Sequence, residues 1–367
     1  MTSLSRRTFA QLSALTLAAS RVPSFAQSAT ALPTAKPVGF AAVGLGVISD
    51  IFMRACVQTP SVKVAGLVTG HPADKGSRYA AQYGLPATSV YTYETFDRIR
   101  DNPDIEAVYI GLPNSMHAEF TIRAAQAGKH VLCEKPMAIS SAECRRMIDA
   151  CKQANVRLMI AYRVHYDPMW QQIRTLARSG AIGQIRGFQG GFYGIKEGVD
   201  WRLDRKLSGG GSLMDLGIYP LNAARWFAGE EPVGYTAQVT TMDHSGKFSS
   251  VEEAIEFTVK FPSGMLASAG SSYGEHGPSF LNVYGTQGEL RIEPAFGYDG
   301  LKYSGTTTTG PVGASNTGRN PYEFVYEADH FAHCVRNNRT PDTAGEEGLA
   351  DLLAMEAIYR AAGAPIA

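Results

Sequence analysis

The chain has 367 residues, which is more than one typical compact domain holds and enough for two. Hydrophobic residues make up 44% of the chain and charged residues 19%, as in ordinary globular proteins. The 34 basic and 34 acidic side chains cancel, so charge gives no reason to expect binding to nucleic acid or to an anionic membrane. The composition favours a small-molecule ligand and self-association.

The first 26 residues are typical of an export signal. Ser-Arg-Arg-Thr-Phe at 5–9 precedes a mildly apolar stretch at 12–19, and residues 24–26 form a small-x-small cleavage site. The arginine pair followed by Phe predicts the twin-arginine route, with the translocon as partner and the periplasm as destination. A chance arginine pair in an ordinary Sec signal is the alternative. Residues 27–36 are rich in Ser, Ala, Thr and Pro, which predicts an arm or linker.

Apolar runs that alternate with helical segments follow over residues 37–162. The runs predict strands and the segments between them predict helices. The strands are expected at 38–43, 62–68, 105–112, 130–133 and 157–162, and the helices at 73–83, 117–127 and 141–154. This alternation predicts an α/β Rossmann domain, in which helices cover both faces of a parallel sheet.

After residue 162 the pattern changes to hairpins. Helices are predicted at 169–179 and 212–227, on either side of an extended Gly-rich segment at 184–194. Alternating runs follow at 233–241, 254–261, 265–273, 281–284 and 289–292, with turn residues at 262–264 and 286–288. Two helical stretches end the chain. We predict an α+β domain over 163–367 with a large, mainly antiparallel sheet, whose open face forms a homodimer or homotetramer.

Gly44 and Gly46 follow the first strand and open a helix, as glycines do in dinucleotide-binding folds. Gly44 permits the tight turn, and Gly46 lets the backbone, with Val47 and Ile48, approach a pyrophosphate at the helix N-terminus. Ser49 stands where the motif has a third Gly or Ala, so the match is incomplete. A generic strand–turn–helix connection is the alternative, but the surrounding β–α alternation favours a dinucleotide site.

The end of the second strand favours NADP over NAD. An NAD site usually has Asp or Glu here, to accept a hydrogen bond from the ribose 2′-hydroxyl. Thr69 and Gly70 instead leave room for a 2′-phosphate. His71, Lys75 and Arg78 are nearby donors, although a solvated helix face explains Arg78 better.

Three further residues carry candidate acid–base chemistry. Lys135, with Glu134 before it, follows the predicted strand at 130–133, at the sheet edge where open α/β sheets bind ligands. Asp215 and Tyr219 are four residues apart on a predicted helix capped by Ser212, so they share a face. A lysine beside a phenol favours the phenolate, which can act as a general base. From spacing alone, a surface lysine, a capping aspartate and a core tyrosine are the simpler interpretation.

Together these motifs resemble the Gfo/Idh/MocA family of sugar and polyol oxidoreductases over essentially the whole mature chain. The resemblance rests on Gly44-x-Gly46, Glu134-Lys135-Pro136 and Asp215-x-x-x-Tyr219, with supporting segments at 112–120, 162–168, 201–203, 209–219 and 345–348. Many members carry His at the position of Tyr219, and glucose–fructose oxidoreductases carry Tyr there.

The resemblance implies that Lys135, Asp215 and Tyr219 surround the reacting carbon of a sugar. Tyr219 would take the C1-hydroxyl proton, Lys135 would polarise the same oxygen, and Asp215 would orient the sugar or the lysine. The implied cofactor is NADP, and the implied reaction is oxidation of an aldose to a lactone, with a second sugar reduced by the retained NADPH. The resemblance adds further candidates for the cofactor or sugar site: Asn114, His117, Glu134, Arg163, Trp201 and Arg202.

Two other functions remain open from the sequence. One is a single-direction aldose dehydrogenase or a 1,5-anhydrofructose-type reductase with exchangeable NADP(H). The other is a sugar- or dinucleotide-binding regulatory protein without catalysis. Asp329, His330, His333 and Cys334 have metal-capable side chains at helical spacing, but no further ligand cluster accompanies them, and no metal is predicted.

Overall fold

A six-stranded parallel sheet forms the first part of the computed structural model, which describes residues 36–316 and 322–364. The strands are β1 (Val38–Val43), β2 (Val62–Val68), β3 (Val90–Tyr91), β4 (Ala107–Ile110), β5 (His130–Glu134) and β6 (Leu158–Ala161). They lie in the order β3-β2-β1-β4-β5-β6, so the chain reverses direction across the sheet between β1 and β4. A dinucleotide fold binds its ligand at this switch point, outside the carboxyl ends of the strands.

Helices cover both faces of this sheet. They are α1 (Val47–Cys56), α2 (Ser77–Tyr83), α3 (Asn114–Gln126) and α4 (Ser141–Gln153). Every residue of β1, β4 and β6 is buried, as in a parallel sheet covered on both sides. The predicted Rossmann fold is confirmed. The predicted signal at 1–26 and nearly all of the predicted arm at 27–36 lie outside the described residues.

An eight-stranded sheet forms the second part. Its strands are β7 (Ile185–Tyr193), β8 (Gly234–Thr240), β9 (Ala254–Lys260), β10 (Leu266–Ser272), β11 (Phe280–Gly285), β12 (Glu289–Ile292), β13 (Lys302–Thr307) and β14 (Gly310–Ser315). Their order is β14-β13-β12-β11-β7-β10-β9-β8, and β7 pairs antiparallel with β11 but parallel with β10. The mainly antiparallel sheet is therefore confirmed. The expected unbroken series of hairpins is wrong at one place, because β7 inserts between β10 and β11.

One face of this sheet is buried and the other is polar. In β9, Ile255, Phe257 and Val259 point inward, whereas Glu256 and Lys260 are exposed on the other face. The helices of this part are α5 (Pro168–Arg178), the short α6 (Arg205–Ser208) and α7 (Ile218–Ala228). A π-helical turn at Leu213–Gly217 leads directly into α7. The predicted side-chain cap by Ser212 is absent, because the Ser212 hydroxyl donates to the Ser271 carbonyl instead.

The last two helices return to the first sheet. Helix α8 (Tyr322–Arg336) packs against α1 and against the 3₁₀ turn at Arg163–Tyr166. Helix α9 (Gly345–Ala361) packs against α4, α7 and β8. These contacts hold α7 close to the carboxyl edge of the parallel sheet. Within the described residues, no helix is long and apolar enough to cross a membrane.

Candidate active site

The turn after β1 has the geometry of a pyrophosphate cradle. Gly44 has φ +83°, and a Cβ there would lie 2.7 Å from the Gly111 carbonyl oxygen, so glycine is required. A Cβ at Gly46 would meet nothing within 4 Å, and no side chain caps α1. Val47 is 80% exposed at the first position of α1. Open space in front of an uncapped helix N-terminus fits the phosphates of a dinucleotide.

Ser49 explains the incomplete glycine motif. Its side chain is buried against Gly111, where an added Cβ would lie 2.5 Å from the Ser49 hydroxyl oxygen. The glycine that the motif lacks in α1 is thus supplied by the loop after β4. Ile48 is half-buried beside it and packs toward α8.

The end of β2 has basic neighbours, and Thr69 and Gly70 directly after the strand carry no carboxylate. Thr69 is buried, and its hydroxyl accepts a hydrogen bond from the His71 amide at 3.1 Å, so Thr69 shapes the turn. His71 is exposed and Lys75 is half-buried. The Arg78 guanidinium lies 4.8 Å from the Tyr79 ring centroid. His71 and Lys75 thus fit the donors that a 2′-phosphate needs.

Lys135, Asp215 and Tyr219 meet at the carboxyl end of β5. Lys135 Nζ donates to the Asp215 backbone carbonyl at 2.8 Å and lies 3.5 Å from Asp215 Oδ1. The same ammonium lies 4.5 Å from the centroid of the Tyr219 ring, above its face. The Lys135 side chain is 11% exposed and that of Asp215 is 26% exposed. The π-helical turn before α7 therefore brings both residues of the Asp-x-x-x-Tyr motif to the lysine.

Asp215 is a carboxylate held by two cations and a phenol. Arg202 Nε lies 3.2 Å from Asp215 Oδ2, and the Tyr273 hydroxyl donates to the same oxygen at 2.9 Å. Burial opposes ionisation of Asp215, but the charges of Lys135 and Arg202 and the Tyr273 hydrogen bond outweigh it, so its pKa lies below the ordinary value. Sequence reasoning missed Tyr273, because its contact with Asp215 spans 58 residues.

Arg202 links Asp215 to a second carboxylate. Its NH1 group lies 3.3 Å from Asp200, which also pairs with Lys196 at 2.5 Å. The Arg202 guanidinium stacks 4.5 Å from the centroid of the half-buried Trp201 ring. Arg202 thus forms ion pairs with both Asp215 and Asp200.

Arg163 also lies close to Tyr219. It is buried, donates to the Phe296 carbonyl at 2.6 Å and forms an ion pair with Glu323. Its guanidinium lies 5.2 Å from the Tyr219 ring centroid and 4.7 Å from that of Tyr298. Two cationic side chains, Lys135 and Arg163, therefore lie close to the Tyr219 ring.

Tyr298 is a site residue that sequence reasoning missed. The residue is 44% exposed, and desolvation of its hydroxyl group raises its pKa although Arg163 opposes the increase, so it stays a neutral donor. Its ring faces Arg163 from the loop between β12 and β13. No sequence motif marks this loop, so only the folded chain shows the contact.

Family models match most of the described chain. One described as an oxidoreductase family with an NAD-binding Rossmann fold matches residues 38–162. Another, the GFO/IDH/MocA C-terminal domain, matches residues 170–291. The chain belongs to the Gfo/Idh/MocA oxidoreductase family. The family that the motifs predicted is thus confirmed, and the chain is an oxidoreductase.

Relatives within the Gfo/Idh/MocA family cover nearly the same length. The NADP(+) D-xylose 1-dehydrogenase of Haloarcula marismortui is 32% identical over 337 residues, 89% of this chain and 92% of the relative. The 1,5-anhydro-D-fructose reductase of Ensifer adhaerens is 26% identical, over 87% of this chain and 95% of the relative. The aldose–aldose oxidoreductase from Caulobacter crescentus, whose crystal structure is a complex with glycerol, is 42% identical in sequence to this chain. It has a TM-score of 0.85 and matches over 89% of this chain and 98% of that one.

Two of the predicted ligand-lining residues form hydrogen-bonding contacts between the loops of this Gfo/Idh/MocA site. The ring nitrogens of the buried His117 lie 3.0 Å from the Pro136 carbonyl oxygen and 2.9 Å from that of Leu112. Asn114 donates from Nδ2 to the Ser208 carbonyl at 2.8 Å. These contacts join three loops at the strand ends, and the ligand-lining role of both side chains stays a prediction.

Glu134 is also buried beneath the site. The Tyr109 hydroxyl donates to its Oε1 at 2.5 Å and the Lys135 amide to its Oε2 at 3.2 Å. Burial raises the pKa of Glu134, and the Tyr109 hydrogen bond only partly offsets this. The Glu134 side chain therefore orients the backbone of Lys135.

The metal-capable residues lie on α8. Cys334 Sγ is 3.4 Å from His330 Nε2, whereas a ring nitrogen of His333 contacts Asn337. Across residues 36–316 and 322–364, no group of three or more His, Cys, Asp or Glu is arranged to hold a metal ion.

Proposed function

We propose that this chain is an NADP-dependent sugar oxidoreductase that oxidises an aldose at C1 to a lactone and reduces a second sugar with the retained NADPH. The observation that carries the proposal is the meeting of Lys135, Asp215 and Tyr219 at the same sheet edge as the Gly44 turn. The aldose–aldose oxidoreductase and the xylose dehydrogenase among the relatives support an aldose as the substrate.

The side chains divide the chemistry as follows. When bound, the nicotinamide exchanges a hydride with C1 of the sugar. Tyr219 accepts the proton of the C1 hydroxyl, as a positioned general base. The Lys135 ammonium, held by the carbonyl and carboxylate of Asp215, stabilises the negative charge that develops on the sugar oxygen. Arg163 and Lys135 both contact the Tyr219 ring and fix its orientation.

The residues at the end of β2 support NADP as the cofactor. His71 and Lys75 can donate to a 2′-phosphate, and Thr69 and Gly70 add no carboxylate that would repel it. The NADP(+) dependence named for the xylose dehydrogenase is consistent with this choice.

A single-direction dehydrogenase is the second candidate, favoured by the xylose dehydrogenase relative. The absorbance of purified, desalted protein separates the two candidates. A reduced-nicotinamide band that forms with glucose or xylose alone, and fades on adding fructose or a second aldose, establishes a retained cofactor and the two-sugar cycle. A band that requires added NADP establishes the dehydrogenase.

A third outcome of the same experiment is that no aldose produces the band even with added NADP. That result would favour the non-catalytic sugar- or dinucleotide-binding protein. Tyr219→Phe is the control, because a band formed by Tyr219 chemistry must form far more slowly in this variant. An unchanged rate would refute the assigned role of Tyr219.

We also propose export to the periplasm by the twin-arginine route, supported by Arg6 and Arg7 in the leader. An exported enzyme has no free nicotinamide pool around it, which is the physical argument for a retained cofactor. Self-association through the polar face of the eight-stranded sheet is part of the same proposal. Cell fractionation of an Arg6→Lys, Arg7→Lys variant tests the route, and light scattering of the purified protein tests the oligomer.

A further inference from the structure

Three consecutive glycines precede the π-helical turn that leads into α7. A Cβ at Gly210 would meet the Tyr359 hydroxyl oxygen, and a Cβ at Gly211 would lie 2.9 Å from a carboxylate oxygen of Glu252. Approaches this close require a residue without a side chain. The glycines therefore make room for two side chains from other parts of the chain, neither of which the mechanism above uses.

Glu252 accepts three hydrogen bonds at the start of this turn. Its Oε2 accepts from the Gly211 amide at 2.9 Å, and its Oε1 accepts from the Leu213 amide at 3.0 Å. The Tyr359 hydroxyl, on α9, donates to the same Oε1 at 2.8 Å. Glu252 is buried and lies just before β9. Its carboxylate thus caps the π-helical turn from 39 residues further along the chain, and it satisfies amides that have no partner inside a helix.

The three donors stabilise the ionised form of Glu252. Burial raises the pKa of Glu252, and the donors oppose the increase because each bonds more strongly to a carboxylate than to a neutral carboxyl group. A glutamine at this position would turn an N–H group toward a buried backbone N–H group. One buried donor would then lack an acceptor, which costs free energy unless the backbone moves.

The backbone that Glu252 caps also holds Lys135. In π-helical spacing the carbonyl of Asp215 pairs with the residue five positions later, which is Pro220 and has no amide hydrogen. Lys135 Nζ donates to this carbonyl at 2.8 Å and lies 3.5 Å from the carboxylate of the same residue. The position of the Lys135 ammonium therefore depends on where the turn holds Asp215.

The same turn is fixed to strand β10. The Ser212 hydroxyl donates to the Ser271 carbonyl at 3.1 Å, and a Cβ at Gly217 would lie 2.8 Å from the Ser271 hydroxyl oxygen. These contacts hold the turn against the sheet, whereas Glu252 binds the two backbone amides at its start. A change at Glu252 should therefore displace the start of the turn and leave the rest of the domain folded.

We propose that Glu252 is a positioning residue for the reaction, because it holds the π-helical turn so that Asp215 keeps the Lys135 ammonium beside Tyr219. The inference rests on the proposed sugar oxidoreduction and adds to it a residue on which the geometry of the site depends. Glu252 acts through the backbone of the turn, since its carboxylate is buried and bonded to that backbone. Tyr359 supports Glu252 from α9.

The first test needs no activity. In a crystal structure of the Glu252→Gln variant the start of the turn should be displaced. The distance from Lys135 Nζ to the Asp215 carbonyl oxygen should then exceed about 3.5 Å, the limit of a hydrogen bond, whereas it is 2.8 Å in the wild type. An unchanged distance overturns the inference, whatever the chain catalyses.

The second test is the rate constant of aldose oxidation in single turnovers, when NADP-saturated protein is mixed rapidly with glucose or xylose. Glu252→Gln should lower this rate constant by a factor of about 10 to 100, because a misplaced catalytic group slows the chemical step. The half-saturating aldose concentration should change by less than about threefold. A protein that is merely less stable would instead give a smaller amplitude with an unchanged rate constant, since only folded molecules react, and that result overturns the inference.

Glu253→Gln is the matched control. Glu253 is the next residue along the chain and is also buried, and its Oε2 accepts from the amides of Met242 and Asp243 at 2.6 and 2.9 Å. It therefore binds two backbone amides as Glu252 does, but those amides belong to the loop between β8 and β9. Glu253→Gln should keep the wild-type rate constant. Equal decreases in the rate constants of the two variants overturn the inference and leave the proposed function standing.

If Glu252→Gln does not fold, Tyr359→Phe decides. This variant keeps the aromatic ring and removes one of the three donors to Glu252, so the rate constant should fall about threefold or more. A wild-type rate constant in folded Tyr359→Phe then overturns the inference. A wild type that is inactive on every aldose overturns the proposed function, and this inference with it.

Discussion

Asp215→Asn removes the charge of Asp215 without moving Lys135, because Lys135 also bonds to the backbone carbonyl of residue 215. At 3.5 Å and an effective dielectric constant of about 20, the attraction between the two charges is about 5 kcal/mol, and desolvation cancels part of it. The attraction also acts in the free enzyme, so only its effect on the position of the Lys135 ammonium against the developing charge changes the rate. We expect this effect to be about 3 kcal/mol in the transition state, which is roughly a 10²-fold decrease in kcat/KM for the aldose.

The control for this prediction is Asp200→Asn. Asp200 pairs with the far side of Arg202 and has no contact with Lys135, so we expect kcat/KM to change by less than about threefold. Steady-state kinetics with NADP and an aldose measures both variants, and thermal unfolding shows whether each is folded. Equal decreases in the two folded variants would refute the special role of the Lys135–Asp215 pair.

Three further predictions concern the cofactor turn and the sugar site. Gly44→Ala should lower the free energy of unfolding by about 1–3 kcal/mol and abolish NADP binding, whereas Gly46→Ala should impair NADP binding alone. Thermal unfolding measures the first effect, and NADP titration measures the second. Lys75→Ala should weaken NADP binding about tenfold and leave NAD binding unchanged, and equal losses for both cofactors in titrations would contradict the 2′-phosphate assignment. Tyr298→Phe should raise the aldose KM several-fold, whereas Tyr326→Phe on the exposed part of α8 should not; equal kinetic constants for the two variants would remove Tyr298 from the sugar site.

Local sequence patterns were sufficient for most of the fold. The apolar runs of β1 and β4 mark buried strands, because parallel strands covered on both faces need continuous apolar residues. Strand β3 has two residues, and β13 and β14 are rich in Ser, Thr and Gly, so no hydrophobic period marks them.

The candidate site also contains residues that the sequence predicts and residues that only the folded chain shows. Lys135, Asp215 and Tyr219 lie in short motifs, and the folded chain brings all three together. Tyr273 and Tyr298 come from strands and loops far along the chain, so only tertiary packing reveals them. His117 and Asn114 also contact backbone carbonyls of neighbouring loops, and a linear pattern does not express such contacts.

The contact between Ser49 and Gly111 has a consequence for recognising dinucleotide-binding chains. The space available between α1 and the loop after β4 is shared by two positions, so a hydroxymethyl group on one side requires a bare α-carbon on the other. A search for three small residues in one turn therefore misses chains that divide the volume differently. The requirement for a small residue is a property of the contact between the helix and the loop. The double substitution Ser49→Gly with Gly111→Ser would transfer the glycine from the loop to the helix.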